Sequence, residues 1–408
     1  MTPDPSAATS IAGPSGIRLV VARSWPAFEP WAPAWEALLK KQVQRTPFHE
    51  ADWLRVAWAA TAQPKTVALV ARGDDLLAGF CFCRQWELRN LLYAPARVLH
   101  CLPHLPALYP PCAAVIAAPD APADVISWGL EQTLRRLTWD ALVISHVNER
   151  TAWFEAALRA VAGRRGWAVR ETPGWPEVIV DFSDGPEAYW QTRSSHRRRR
   201  VRSDERRLAK RGAVRLRDLH AEGAPWEEVW RRIEGVYRVS WQAGSGLYPF
   251  DEPMRAVNVR LLGELYERGR LRPLLLCVDD QAVAYGLWLA GEDTLYGLAI
   301  GIDPAYREDG PGSALFSMMI SQTHEQGFRK IHLGQLTDWG HIEYKKQWLT
   351  HAEEHRLLII VRPWSLYGAL DRALEKCGPA RRLWLRFGLG DRVRGAFTWV
   401  RGLRRKRS

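Results

Sequence analysis

The segment Arg307-Glu-Asp-Gly-Pro-Gly-Ser313 has the residue types and spacing of a phosphate-binding turn. Gly310 and Gly312 carry no Cβ, so a ligand can approach the backbone closely there. A helix that begins at this point offers unpaired amides and the positive end of its dipole, which suit a pyrophosphate. The same sequence is also typical of a tight turn with Pro311 at the first helical position, so the residues alone leave both interpretations open.

The elements around this segment form a mixed α/β pattern. Apolar alternation predicts strands, and apolar positions three or four apart predict helices. The segment lies between a predicted strand and a predicted helix, as a phosphate-binding turn requires. The predicted elements are helices at 187–193, 197–210, 226–241, 252–268, 312–326 and 342–348, and strands at 178–182, 213–217, 271–278, 281–290, 294–302, 330–333 and 355–361.

The first half of the chain has a similar coarse pattern of helices, a hairpin and helix–strand pairs. We therefore predict two related mixed α/β domains with central mixed sheets, at 17–182 and 183–361. A disordered N-terminus at 1–16 precedes them, and a basic amphipathic helical tail at 362–408 follows. The predicted elements of the first half are strands at 17–22, 66–71, 76–83, 141–145 and 178–182, and helices at 31–39, 53–58, 124–137 and 152–162.

Length and composition are those of a folded protein with two cores. The 408 residues exceed the size at which one core usually stops growing. No segment reaches the roughly 18 to 20 apolar residues that span a bilayer. The six cysteines form no CxxC pair and have no histidine set at zinc-ligand spacing, so we expect reduced thiols and no metal. These features predict a cytoplasmic protein.

The net charge of +12 is concentrated in two segments. Residues 193–211 carry +8 and residues 362–408 carry +10, so the rest of the chain is acidic. Arg197 to Arg200 span more than one helical turn, so at least two of them face solvent or an anion. We expect either a solvated helix or a site for a phosphate of CoA, an anionic glycan or nucleic acid. The tail either packs on the protein or contacts the inner membrane peripherally.

The segment 307–312 fits the Arg/Gln-x-x-Gly-x-Gly/Ala signature with which GNAT acyltransferases bind the CoA pyrophosphate. Residues 181–349 resemble the GNAT-like acetyltransferase domain of CelD-like proteins, which are associated with polysaccharide synthesis and related to Fem-type peptidyltransferases. The first half looks like a degenerate copy of a tandem GNAT pair, through Trp35, residues 46–48 and Trp53. The matching features are the arginine-rich helix at 194–211 with Gly212, Ser240-Trp241, residues 284–289, Pro311-Gly312, Gly327-Phe328 and Tyr344-Lys345.

The resemblance implies direct transfer from acetyl-CoA or another acyl-CoA, without a covalent enzyme intermediate. The amides of Gly310 and Gly312 would bind the pyrophosphate, and strands 294–302 and 330–333 would hold the pantetheine arm. Arg307, Pro311 and Ser313 belong to the same donor site. The acceptor would be an amino-sugar, a saccharide or an amino-acid-like molecule in polysaccharide or envelope biosynthesis.

Two catalytic residues follow from the resemblance. Tyr344 occupies the place where GNAT enzymes commonly have a tyrosine acid, although it also suits a core aromatic on a short helix. Lys345 matches an aromatic-Lys pair of Fem-type transferases that meets an anionic substrate or intermediate. The general base is not identified.

Three residues are candidates for the acceptor pocket: Trp241, Asp303 and Gln335. Core packing is an alternative role for Trp241. His332, between Ile331 and Leu333 in a strand pattern, fits a structural histidine better than a base.

Two other functions stay open. A Fem-type peptidyltransferase would use aminoacyl-tRNA and bind RNA in a salt-sensitive way. No RNA-recognition motif is evident, and apart from that tRNA we expect no nucleic-acid partner. A non-catalytic tandem GNAT scaffold would bind no donor.

Overall fold

The computed structural model describes residues 8–42, 45–60, 63–89, 94–101, 113–243, 250–252, 254–336, 342–365 and 368–369. The predicted helical tail at 362–408 lies almost wholly outside these residues, so it stays a prediction. Within the predicted disordered N-terminus, residues 9–12 form a strand. That strand pairs with the next one along the chain, and this corrects the expectation of disorder there.

Sixteen strands are present among the described residues. They are β1 (Thr9–Ala12), β2 (Ile17–Ala22), β3 (Lys65–Arg72), β4 (Asp75–Arg89), β5 (Ala94–His100), β6 (Val115–Ala117), β7 (Ala141–Val147), β8 (Ala168–Pro173), β9 (Glu177–Asp181), β10 (Val214–Asp218), β11 (Leu271–Val278), β12 (Gln281–Ala290), β13 (Thr294–Ile302), β14 (Lys330–Gln335), β15 (His351–Glu353) and β16 (Arg356–Val361).

Eleven α-helices accompany the strands in the described part of the chain. They are α1 (Trp25–Phe28), α2 (Ala32–Leu39), α3 (Ala51–Ala60), α4 (Ala123–Arg136), α5 (Ala152–Arg165), α6 (Pro186–Thr192), α7 (Ser195–Ala209), α8 (Trp226–Val239), α9 (Arg255–Glu267), α10 (Pro311–Glu325) and α11 (Ile342–Lys346).

The strands form two mixed sheets, as the sequence predicts. The first has the order β1-β2-β3-β4-β5-β7-β16-β8, with β6 paired to β4, and the second has the order β10-β11-β12-β13-β14-β9-β15. Each sheet contains a parallel pair, β5 with β7 and β13 with β14, among antiparallel neighbours. The expected mixed α/β class with two central sheets is confirmed.

The two sheets exchange strands, which the predicted boundary at residue 182 does not anticipate. β9 was expected to close the first half, but it pairs with β14 and β15 in the second sheet. β16 was expected to end the second half, but it pairs with β7 and β8 in the first sheet. The chain therefore passes from the first sheet to the second between β8 and β9, and it returns to the first sheet between β15 and β16.

Helices cover both faces of each sheet and bury its apolar side chains. α4 and α5 pack on one face of the first sheet through Leu130 and Phe154, and α2 covers the other through Trp35. In the second sheet α7 and α10 share one face, while α8 and α9 cover the other. α3, from the first half, adds Trp53 to the core formed by α8 and α9. The halves thus share an apolar core.

Candidate active site

The predicted phosphate-binding turn joins β13 to α10. A 3₁₀ helix, Pro304–Asp309, leads into Gly310, which has φ +73° and precedes Pro311 at the start of α10. A Cβ on Gly310 would lie 2.5 Å from Cγ of Asp204, so both the conformation and the contact require glycine. Asp303 accepts a hydrogen bond on Oδ1 from the Ala305 amide at 2.9 Å, so its carboxylate caps the 3₁₀ helix.

The amides of the turn are used unequally. The Gly310 N–H donates to the Arg307 carbonyl at 3.3 Å, and the Ser313 N–H donates to the Gly310 carbonyl at 3.0 Å. The Gly312 N–H differs from these two amides, because none of the described residues accepts a hydrogen bond from it. Of the two predicted donor amides, the geometry therefore favours Gly312 over Gly310 for an external anion.

A basic cavity of about 850 Å³ opens at this turn. It is lined by the turn itself, by the start of α7 and by α11. Asp204 is its acidic lining residue, and its positively charged lining residues are Arg193, Arg197, Arg200, Arg307 and Lys346. Asp204 is buried and accepts from Arg200 Nε at 3.1 Å, so one positive charge is partly offset.

The four arginines at the start of α7 have separate roles. Arg197 lies over the Trp348 ring at 4.2 Å and donates to Gln347 Oε1 at 2.6 Å. Arg198 donates to carbonyl oxygens at the end of α6, including that of Arg193 at 2.8 Å. Arg199 and Arg200 are exposed. The expectation that at least two of the four face solvent or an anion is confirmed.

Tyr344 reaches the turn from α11. Its hydroxyl donates to the Gly312 carbonyl at 3.2 Å, and its ring lies 5.8 Å from that of Phe316. Burial raises the pKa of Tyr344 above its usual range, so the phenol stays protonated at neutral pH and can donate a proton. The structure combines both predicted roles, because the side chain packs on aromatic neighbours and also places its hydroxyl at the donor turn.

The parallel pair β13 and β14 separates beyond its first residues. Pairing is limited to Thr294–Tyr296 with Lys330–His332, although β13 continues to Ile302 and β14 to Gln335. The two strands therefore splay as expected. Ile302, at the outer end of β13, lines the basic cavity, so the gap between the strands leads towards the turn.

A second cavity, of about 800 Å³, lies between the two sheets. Tyr296 and His332, the last paired residues of β13 and β14, line it from the second sheet. His146 of β7 lines it from the first sheet. Its other charged lining residues are of both signs: Lys41, Arg45, Arg150, Lys330, Glu177, Glu292, Asp293, Glu353 and Glu354.

Glu177 is the centre of a buried polar network in this second cavity. Its Oε2 accepts from His332 Nε2 at 2.9 Å, and its Oε1 lies 3.0 Å from His146 Nε2. Burial alone would raise the pKa of Glu177, but the two imidazoles that face its carboxylate, those of His332 and His146, outweigh burial and hold the pKa at about 2. Nδ1 of His332 accepts from the Gly334 amide at 3.1 Å, so both ring nitrogens of His332 are bound, as expected of a structural histidine.

Lys345 and Gln335 lie beside this network. Lys345 Nζ donates to the Gln335 carbonyl at 2.8 Å, and the Gln335 side-chain amide lies 3.0 Å from His146 Nε2. Burial lowers the pKa of Lys345 to about 8, although the charge of Glu177 opposes that shift. Lys345 is therefore ionised below about pH 8 and largely neutral above it.

The structure brings together most, but not all, of the predicted site residues. Arg307, Gly310, Pro311, Gly312, Ser313 and Tyr344 line the basic cavity. Trp241 is 53 % exposed at the end of α8 and, like Asp303, is not among the lining residues of either cavity.

Sequence reasoning missed Glu177, His146 and His355. They come from β9, β7 and the residue before β16, the elements involved in the strand exchange. No local motif marks that exchange. In the sequence, these three residues are far from one another or isolated, and nothing indicates that they meet.

The depressed pKa of Glu177 predicts that the stability of the fold depends on pH. Its pKa is depressed from 4.5 in the unfolded chain to about 2, so the stabilisation is complete above pH 4.5 and is lost as the pH falls towards 2. The shift corresponds to about 3 kcal/mol. We expect Glu177→Gln to be less stable than the wild type by about this amount at pH 7, with the difference shrinking below pH 4.5. Urea unfolding at several pH values measures it, and a pH-independent difference would contradict it.

Comparison with known proteins agrees with this geometry. Residues 195–346 match the family model of the acetyltransferase (GNAT) domain. The glycine turn before α10 and the splayed strands β13 and β14 both lie within the matched residues. No curated protein matches the chain.

Several solved structures are similar to the chain at low sequence identity. The crystal structure of FemX is 10 % identical, with a TM-score of 0.56 over 80 % of this chain and 95 % of that one. A tandem GNAT protein from the clavulanic acid biosynthesis pathway is 10 % identical, with a TM-score of 0.47 over 86 % and 100 %. A GNAT-family acetyltransferase from Colwellia psychrerythraea is 7 % identical, with a TM-score of 0.44 over 87 % and 99 %.

None of the helices in the described residues is long and apolar enough to cross a membrane. In the same residues, no group of three or more His, Cys, Asp or Glu side chains is arranged to hold a metal ion.

Proposed function

We propose that the protein transfers an acyl group from acyl-CoA to an amine or hydroxyl of a small polar acceptor. The observation that carries this proposal is the start of α10, where a helix dipole and the Gly312 amide meet a cavity lined by four arginines and Lys346. Phosphates are bound by such helix starts and by guanidinium groups. The start of α10 and the arginines of this cavity therefore suit the phosphates of an acyl-CoA donor.

The rest of the donor also fits the chain. Beyond Tyr296 and His332 the facing edges of β13 and β14 no longer pair with each other, so their peptide groups can meet the amides of a pantetheine arm. That arm would run from the turn at Gly312 towards the last paired residues. Its thioester would then lie beside the cavity between the sheets.

In this proposal the acceptor attacks the thioester carbonyl directly. The hydroxyl of Tyr344 lies at the Gly312 end of the pantetheine arm, so its proton reaches the leaving thiolate through solvent in the gap between β13 and β14. The acceptor enters through the cavity between the sheets, whose lining carries both charges and two aromatic rings, Tyr296 and Trp153. Such a lining suits a polar molecule with several hydrogen-bonding groups. An amino-sugar, a saccharide or an amino-acid-like acceptor has this character, and the resemblance to CelD-like proteins favours a saccharide in polysaccharide or envelope biosynthesis.

A Fem-type reaction with aminoacyl-tRNA is the second candidate. It is supported by the fold shared with FemX and by the exposed arginines of α7, which include Arg199, Arg202 and Arg206. Such a surface would bind RNA through its phosphates, and that binding would weaken steeply with salt. The glycine turn favours the CoA donor.

Calorimetric titration of the purified protein with acetyl-CoA, CoA and tRNA separates these candidates. We expect saturable binding of acetyl-CoA and CoA, and release of CoA thiol when D-glucosamine, other amino-sugars or amino acids are added. Salt-sensitive tRNA binding without CoA binding would favour the Fem-type reaction. Binding of neither ligand would reject both and leave a scaffold.

Replacing Tyr344 with phenylalanine tests the proton donor. Tyr344→Phe keeps the ring packed on Phe316 but removes the hydroxyl, so we expect unchanged affinity for acetyl-CoA and a kcat lower by about 10²-fold. Steady-state thiol release measures kcat. Tyr306→Phe is the matched control, because Tyr306 bonds to Gln281 and does not line the basic cavity. An undiminished kcat in Tyr344→Phe would assign the residue to packing alone.

A further inference from the structure

A general base for the proposed reaction would lie in the cavity between the sheets. We propose that His146 removes the proton from the acceptor and that Glu177 positions His146 for this step. The proposal rests on the acyl transfer proposed above. His146 lies in β7 of the first sheet and Glu177 in β9 of the second sheet, so the strand exchange between the sheets brings the two residues together.

The contacts of His146 define its protonation. Glu177 Oε1 lies 3.0 Å from His146 Nε2, but it has no hydrogen-bond partner among the described residues, so this contact is a close approach of unlike groups and not a formed hydrogen bond. A carboxylate oxygen carries no proton, so this approach favours an imidazole with its proton on Nε2. The amide nitrogen of Gln335 lies 3.0 Å from the same Nε2, so this tautomer requires a half-turn of the amide, which places its oxygen there as the acceptor. The lone pair of His146 is then on Nδ1.

Nδ1 of His146 is an unsatisfied buried atom. The side chain is 5 % exposed and lines the cavity between the sheets, yet Nδ1 has no hydrogen-bond partner among the described residues. Buried polar atoms are almost always paired, so an unpaired one facing a cavity calls for an explanation. A substrate N–H or O–H would supply the missing donor.

The backbone at His146 is distorted in a way that aims this side chain. His146 has φ +63° although it lies within β7. The register between β7 and β16 shifts here, since Val147 is opposite Arg356 but Ile144 is opposite Leu358. Two residues of β7, Ser145 and His146, thus face one residue of β16, which is a β-bulge. Bulges and left-handed non-glycine residues concentrate at functional sites because they redirect side chains at a cost in stability.

The other buried histidines of this cavity do not offer the same lone pair. His332 has both nitrogens bound, and so does His49, which contacts Thr46 Oγ1 at 2.8 Å and the Ala113 carbonyl at 2.9 Å. His355 stacks on His146 with ring centroids 4.5 Å apart. Burial lowers the pKa of His355, so it stays neutral beside an imidazole that gains a proton.

The pair stands next to the expected position of the thioester. Glu177 is opposite Gln335 in the pairing of β9 with β14, and Tyr296 and His332 line the same cavity as His146. In the step, the acceptor N–H or O–H bond breaks and its proton goes to Nδ1, while the electron pair bonds to the thioester carbonyl carbon. The C–S bond then breaks, and the proton of Tyr344 reaches the thiolate through solvent. Solvent returns a proton to Tyr344 and removes one from His146.

His146→Asn is the variant to test, because asparagine tolerates positive φ and removes the base. The probe is acetyl-CoA with whichever amino-sugar or amino acid gives the most thiol release. We expect unchanged CoA affinity and a kcat lower by about 10² to 10⁴-fold. Glu177→Gln should also lower kcat, while His220→Asn, a histidine that lines neither cavity, should not.

Histidine ¹⁵N NMR of the wild type, with His146→Asn for assignment, reads the tautomer without any acceptor. We expect His146 protonated on Nε2 only, and protonation on Nδ1 would overturn the proposal. A His146→Asn variant that is folded and as active as the wild type would overturn it as well. Should His146→Asn fail to fold, His146→Gln and the NMR result decide. A wild type that binds no CoA would reject the proposed donor, and the tautomer would still test the pair.

Discussion

Gly312→Trp is expected to abolish the binding of acetyl-CoA and CoA, with a loss of affinity of at least about 10²-fold. Even a Cβ at this position would lie 3.1 Å from the Tyr344 hydroxyl, so an indole has no room except in the basic cavity itself. It would fill the space in front of the α10 start and cover the Gly312 amide. Calorimetric titration measures the loss, and circular dichroism checks the fold.

Ser321→Trp is the matched control for this variant. Ser321 is exposed on the same helix and lines neither cavity, so a tryptophan there should leave CoA affinity unchanged. If Gly312→Trp bound CoA as tightly as the wild type, the donor would not use the start of α10, and the acyl-CoA assignment would lose its main support. Loss of binding in both variants would indicate damage to the helix instead.

Trp35→Ala is expected to lower the free energy of unfolding by about 3 to 5 kcal/mol. Trp35 is fully buried under the first sheet, and its ring packs directly on Gly79, where a Cβ would lie 2.4 Å from it. Its Nε1 donates to the His49 carbonyl at 2.6 Å, so the truncation also leaves a buried acceptor unpaired. Because His49 lines the cavity between the sheets, we further expect weaker acceptor binding.

Chemical denaturation followed by circular dichroism measures the effect of Trp35→Ala. Trp364→Ala is the control, because Trp364 is 91 % exposed and its loss should change stability by less than about 0.5 kcal/mol. A Trp35→Ala variant as stable as the wild type would mean that the first half contributes little to the cooperative unit. The shared core of Trp53 with α8 and α9 argues against that outcome.

Most helices and strands of both halves could be predicted from the sequence, because amphipathic periodicity is a local property. The predicted strand at 17–22 matches β2, and the predicted helix at 312–326 differs from α10 by one residue at each end. The sequence does not predict five strands of the described residues: β1, β5, β6, β8 and β15. β8 and β15 are largely exposed and lack apolar alternation, so only pairing with β16 and β9 makes them strands.

The donor side of the site was predictable for the same reason. Gly310, Pro311 and Gly312 are consecutive, so the candidate donor site can be recognised from one turn and the helix that follows it. Tyr344 followed from the family resemblance, and the contact of its hydroxyl with Gly312 agrees with a place at the donor site. The three candidates for the acceptor pocket, Trp241, Asp303 and Gln335, line neither cavity.

The sequence by itself determined the α/β class and the glycine turn at the start of α10, because short-range spacing encodes helices, strands and glycine turns. Only the tertiary structure decided where the buried polar network forms. Glu177, His146 and His332 meet because β9 joins the second sheet while β7 and β16 remain in the first. Strand exchange depends on the pairing of distant segments, whose free energy comes from burial in the whole fold and leaves no local pattern.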